Sequence, residues 1–172
     1  VDKGIMSASK SENGALCFKP AESMTRQEFV FCAMKAAGIS QLPDVTTTGF
    51  TDDAKINATY KNYIAAAKQL GYIRIDADAN GCLYFRPEEK ITRAEAAAIT
   101  DRLVGGSELL RDVSAKPVFL DADSIPADAA VSLSNLSMLG MMSDEGGNIN
   151  AGNALSRADA AKIFSALLRM KK

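Results

Sequence analysis

The chain has 172 residues and a net charge of −1, enough for one domain with its own core and too few for several independent ones. Hydrophobic residues make up 47%, aromatics only 6%, and Trp is absent; this favours a helical core of small and aliphatic side chains and excludes a global electrostatic case for nucleic acid or membrane surfaces. There is no histidine, which removes the commonest general base, the Ser/His and Cys/His nucleophile pairs and the most frequent zinc ligand.

No apolar run approaches the roughly 20 residues of a membrane span. The chain begins at Val1 and shows no signal peptide, so it is expected to be a mature region or an excised fragment. Cys17, Cys32 and Cys82 have no metal-ligand spacing and, being odd in number, cannot all pair within the chain; two buried thiols and one half-exposed thiol are expected.

In chain order, Met24-Thr25-Arg26-Gln27-Glu28 opens a first predicted helix that runs through Ala37 and stops at Gly38. A linker over 39–49, rich in Gly, Pro and Thr, follows. Ile56, Tyr60, Tyr63, Ile64, Ala67 and Leu70 then recur at spacings of three and four, which predicts a helix stopped by Gly71. The turn-rich stretch Asp76-Ala77-Asp78-Ala79-Asn80-Gly81 leads to Ile91-Thr92-Arg93-Ala94-Glu95, which opens a helix through Val104. A second linker spans 106–118. Ala129, Leu133, Leu136 and Leu139 predict a further helix before Gly140, and Leu155-Ser156-Arg157-Ala158-Asp159 opens the last one. Val30, Met34, Ile99, Leu103, Ile163 and Leu167 mark the buried stripe of the helices that begin at Thr25, Thr92 and Ser156.

These openings stand 67 and then 64 residues apart, and their surroundings repeat too. Phe18-Lys19-Pro20, Phe85-Arg86-Pro87 and Ile149-Asn150-Ala151 precede them; Gly4-Ile5-Met6, Gly71-Tyr72-Ile73 and Gly140-Met141-Met142 lie further upstream. Phe50-Thr51-Asp52 and Phe119-Leu120-Asp121 each stand 21 residues before the matching glycine. The expected organisation is one domain of three helix-loop-helix units, 1–38, 50–105 and 119–172. The first is truncated, because Val1 aligns with the last turn of its first helix. A single amphipathic helix pair cannot bury its own apolar face, so the units must pack together in an all-α fold with little or no sheet.

Thr25/Glu28, Thr92/Glu95 and Ser156/Asp159 fit capping boxes, the last with a shorter carboxylate for the return bond. The box does not explain Arg26, Arg93 and Arg157, which sit at the first helical position where the helix dipole disfavours a cation. Two accounts remain open. Free amides beside a guanidinium would receive a carboxylate or phosphate; alternatively, each arginine pairs with an acidic residue of a neighbouring unit, such as Asp52 or Asp121.

With Phe50-Thr51-Asp52, Gly71-Tyr72-Ile73, Phe85-Arg86-Pro87 and Ile91-Thr92-Arg93-Ala94-Glu95, the chain resembles the S-layer homology family over nearly its whole length, closely in the second unit and loosely in the others. The resemblance implies three units around a central three-helix bundle. It also implies a non-catalytic module at the bacterial cell surface, without cofactor or metal, that anchors a larger surface protein to an anionic, pyruvylated secondary cell-wall polysaccharide, or to a peptidoglycan-linked polymer, through grooves between units. A monomer is expected. Carried over by position, Arg26, Arg93 and Arg157 would contact the acidic substituent, Thr25, Thr92 and Ser156 would frame the pocket, and Asp52 and Asp121 would add polar contacts. The family's usual Trp early in the first helix is absent, with Tyr60 and Ala129 in its place, and the third unit lacks the Phe-x-Pro loop. Only the second unit keeps every motif, so the groove around Arg93 is expected to be the most competent.

Three other functions find some support in the sequence. Asp76, Asp78 and Asn80 match the first half of a calcium loop, but Pro87 stands where the closing Glu belongs. Paired carboxylates for an enzyme are explained by caps and loops. A protein–protein module on the same helical scaffold is the third.

Overall fold

Thr25 and Thr92 each stand at the N-cap of a helix, with the forward and return bonds of the capping box both made. In the computed structural model, which describes residues 4–10, 14–75, 77–110 and 117–170, the helices are α1 (Arg26–Ala36), α2 (Ala58–Gln69), α3 (Arg93–Val104), α4 (Gly106–Leu109), α5 (Ala130–Met138) and α6 (Arg157–Met170). Asn57 caps α2 by accepting from the Thr59 amide at 2.9 Å. A 3-10 turn precedes α2 at Asp53–Lys55, and another precedes α5 at Ala122–Ser124. Among the described residues, strand is confined to the two-residue pair β1 (Ser9–Lys10) and β2 (Leu16–Cys17), apart from isolated bridges. The chain is mainly helical, as the periodicity requires.

Helix α1 packs against α2, α3 and α6, while α3 packs against α5 and α6. The Phe29 and Phe164 rings meet at 5.3 Å between α1 and α6. Met24, Phe29, Ile91, Leu133, Leu155 and Ile163 are fully buried at these contacts. Burying a side chain of this size contributes about 1.5–3 kcal/mol. The predicted stripe is buried except for Leu103, which is half-buried. Leu70 departs from expectation: at the C-cap of α2 it points outward and is 53% exposed.

The second linker is not wholly irregular. Gly105, at φ 64°, ends α3 in the left-handed conformation, and α4 follows directly. A Cβ on Gly106 would lie 2.1 Å from Asp101 Oδ1, so only glycine lets α4 pass the buried Asp101 carboxylate. That carboxylate accepts from Ser132 Oγ and Asn135 Nδ2, each at 3.0 Å, and so ties α3 to α5 through a satisfied polar cluster.

The cysteine expectation needs correcting: only Cys32 is buried, because Cys17 and Cys82 lie in the partly open segments before each Phe-x-Pro loop. The Cys32 thiol donates to Ile5 O at 3.0 Å, and burial, with Glu28 nearby, pushes it up to about 12. It is an inert core group.

Candidate functional site

The amides at the starts of α1, α3 and α6 are not free. Arg26 N donates to Glu89 O and Gln27 N to Pro87 O; Arg93 N donates to Asn153 O and Ala94 N to Ala151 O; Arg157 N donates to Glu22 O and Ala158 N to Pro20 O, all at 2.8–3.1 Å. Each helix start is therefore filled by the loop that precedes another of the three helices. The arginines reach into the same loops. Arg26 Nε donates to Phe85 O at 3.0 Å, Arg93 Nε to Ile149 O at 2.8 Å, and Arg157 Nε to Phe18 O at 2.9 Å. Arg93 Nη2 also donates to Ser143 O and Arg157 Nη2 to Ser7 O, both at 2.6 Å. Arg93 and Arg157 are only 6% and 8% exposed.

The geometry departs from the free-receptor account and meets the pairing account in part: Arg26 and Arg93 do pair with an acid of a neighbouring unit, though not with Asp52 or Asp121. The amides needed for a free anion receptor are occupied, and the chief acceptors of the guanidinium groups are backbone carbonyls. Arg26 pairs with Glu95 at 2.6 Å, and Arg93 lies 3.5 Å from Asp159; both acids stand three residues after the N-terminal Thr or Ser of their own helices. Asp52 takes the amides of Phe85 and Arg86 at 2.9 and 2.7 Å, while Asp121 takes those of Ile149 and Asn150 at 2.9 and 2.8 Å. Partial desolvation raises the Asp121 carboxyl, but the two amides, helped by Arg93, outweigh it and hold the group below its ordinary value. The clamped residues Arg86 and Asn150 have φ of 56° and 53°, and Lys19 at the matching place has 52°.

An open groove of about 360 Å³ runs along α3. Its floor is Ala94, Ala98, Ile99 and Ile73; its rim carries Arg74, Arg86, Arg102 and Tyr84, with Arg26 and Glu95 beside Thr92 and with Pro126, Asp128 and Ala129 across from them. Four arginines thus face two carboxylates. Arg74, Arg86 and Arg102 are exposed. Arg102 Nη1 donates to Tyr72 O at 3.3 Å, and Arg86 Nε lies 4.0 Å from Glu89. A second groove of about 330 Å³ runs along α1 over corresponding positions, Met6, Ser7, Glu28, Phe31, Cys32 and Lys35, with Thr59 and Tyr60 opposite. Phe31 stacks there on Tyr60 at 4.6 Å, and Lys35 lies over the Phe31 ring at 5.5 Å.

Residues 49–97 match the family model described as the S-layer homology domain. These residues form an S-layer homology domain. The matched stretch takes in Phe50-Thr51-Asp52, α2, the Phe85-Arg86-Pro87 loop and the first turn of α3, and therefore one wall of the arginine-lined groove. No curated protein matches the chain.

Across the chain, the expected site residues do not converge on one pocket. Thr92 lies in the groove on α3 together with Arg26, the arginine of the preceding motif, whereas Arg93 is not among its lining residues and leans toward Ser143 and Asp159. Arg157 lines the groove on α1. Thr25 donates to Glu28 Oε2 inside its capping box, and Ser156 Oγ donates to Asp159 Oδ2 while accepting from the Asp159 amide; both side-chain bonds are 2.9 Å. The calcium reading finds Asp78 Oδ1 accepting the amides of Asn80 and Cys82 at 2.8 Å, a turn closure; Asp76 lies outside the described residues. Arg74, Tyr84 and Arg102 were missed. Arg102 had a signal, since it follows Glu95 and Ile99 on one helical face, but Arg74 and Tyr84 lie in loops that no periodicity marks.

Proposed function

We propose that this protein is a non-catalytic module that fastens a bacterial surface protein to an anionic, pyruvylated secondary cell-wall polysaccharide. Domains of the S-layer homology family are cell-wall anchoring modules that bind secondary cell-wall polymers. Among the described residues, no helix is long and apolar enough to cross a membrane. In this reading the chain forms three pseudo-equivalent units, with α1, α3 and α6 as a central bundle, at the outer face of the cell.

The observation that carries the ligand class is the groove on α3, where the exposed Arg74, Arg86 and Arg102 surround a floor of alanine and isoleucine. A pyruvate ketal presents a carboxylate on an otherwise neutral sugar, which suits guanidinium donors beside an apolar floor and the Tyr84 ring. The signature arginines then act in two ways. Arg26 contributes to the groove wall, Arg93 holds the loop that supplies Ala151 and Gly152 to it, and Arg157 lines the corresponding groove on α1. Titration with purified polysaccharide, with and without its pyruvate groups, tests the reading. Arg102→Ala and Arg86→Ala are expected to weaken binding about tenfold without shifting the urea midpoint. Binding that ignores removal of pyruvate overturns the proposal.

A further inference from the structure

An ion pair, Arg74 Nη1 with Asp128 Oδ2, crosses the groove on α3. Arg74 follows α2 and Asp128 precedes α5, so the pair joins two walls that come from separate segments of the chain. Both side chains are more than half exposed, at 56% and 57%. An exposed pair of this kind holds its partners weakly and exchanges readily with a competing ion.

The corresponding groove on α1 places Ser7 and Thr59 at these two positions, so neither charge of the pair has a counterpart there. The pair is also no general requirement of the scaffold: α3 and α5 are already joined by the buried Asp101 cluster. Its carboxylate stands on the cation that an anionic ligand in this groove needs.

We infer that the Arg74–Asp128 pair is a displaceable latch that tunes the affinity and selectivity of the groove on α3 for carboxylated ligands. The inference rests on the groove reading above. A ligand carboxylate enters by taking the place of Asp128 on Arg74. The latch thus weakens binding of every anion and favours one that offers further contacts to Arg86, Arg102 and Tyr84. A simple small anion gains too little to open it.

The test is calorimetric titration of the full chain with a soluble pyruvylated glycoside and its pyruvate-free counterpart. Asp128→Asn is expected to bind the pyruvylated probe roughly three- to fivefold more tightly than the wild type, a gain within the range of one exposed pair. Arg74→Ala in the Asp128→Asn background should remove that gain. Asp123→Asn, which neutralises an exposed acid outside the groove, should leave affinity unchanged. If the wild type binds and Asp128→Asn is no tighter, or if Asp123→Asn tightens binding equally, the latch is overturned while the groove stands. If neither the wild type nor Asp128→Asn binds the pyruvylated probe, the groove reading fails and the latch with it. Far-ultraviolet circular dichroism and a urea midpoint for each variant separate loss of fold from loss of binding.

Discussion

The guanidinium of Arg93 is held by two carbonyls, Ile149 O and Ser143 O, in a nearly closed site. Truncation would leave both acceptors short of a donor, and a buried unsatisfied polar group costs about 1–3 kcal/mol. Arg93→Ala is therefore expected to lose about 2–4 kcal/mol in urea unfolding, and Arg93→Lys to recover less than half, because an ammonium cannot reproduce the planar fork. A variant of full stability would return Arg93 to the role of a ligand contact. That these arginines share a task was legible in the sequence, since three of them recur where the dipole disfavours them. Their acceptors were not, because a carbonyl carries no side-chain signature. Asp53 shows the same blindness to partners. Desolvation raises its carboxyl, but the hydrogen bonds from Lys61 and Thr48 outweigh it and bring it from 3.8 to about 2. A depressed folded-state value contributes stability above the unfolded value, which is lost as pH falls through the folded one. Wild-type urea midpoints should thus decline between pH 4 and 2, and Asp53→Asn should flatten that decline.

At the scale of the element, helix starts were the most readable feature, because a Thr followed three residues later by Glu dictates a local hydrogen-bond geometry. Helix α4 was not readable: four residues are too few for a period, and its place depends on Gly106 clearing Asp101. The loops before α1, α3 and α6 hid a further regularity. Lys19, Arg86 and Asn150 all adopt positive φ without being glycine, a conformation that costs an L-residue about 1–2 kcal/mol. Asp52 and Asp121 hold two of these by their amides. Among the described residues, the Lys19 side chain makes an exposed ion pair with Glu22, so Lys19→Gly removes strain at little loss. After the extra chain entropy of glycine is subtracted, a gain of about 0.5–1 kcal/mol is expected in thermal or urea unfolding.

At the scale of the molecule, the order in which the segments at Met24, Ile91 and Leu155 meet needed coordinates. Met24 N donates to Leu155 O, Leu155 N to Ile91 O, and Ile91 N back to Met24 O, at 3.2, 2.8 and 3.1 Å. The three fully buried positions close a ring of backbone bonds, and the arginines circle it in a fixed sense. The segments at Met24, Ile91 and Leu155 therefore each depend on the other two for backbone partners. The isolated stretch 49–97 leaves Ile91 N, Arg93 N and Ala94 N without partners, so it is expected to give a coil-like circular dichroism spectrum and no cooperative unfolding; a folded peptide would show that the ring is dispensable. The same closure has a mechanical side. Arg157 clasps Ser7 O across 150 residues of sequence, so the first and last segments are joined both directly and through the middle one. Tension applied at the two ends divides between two routes, and the bonds yield together as a clasp, where an open chain of units would peel apart one at a time.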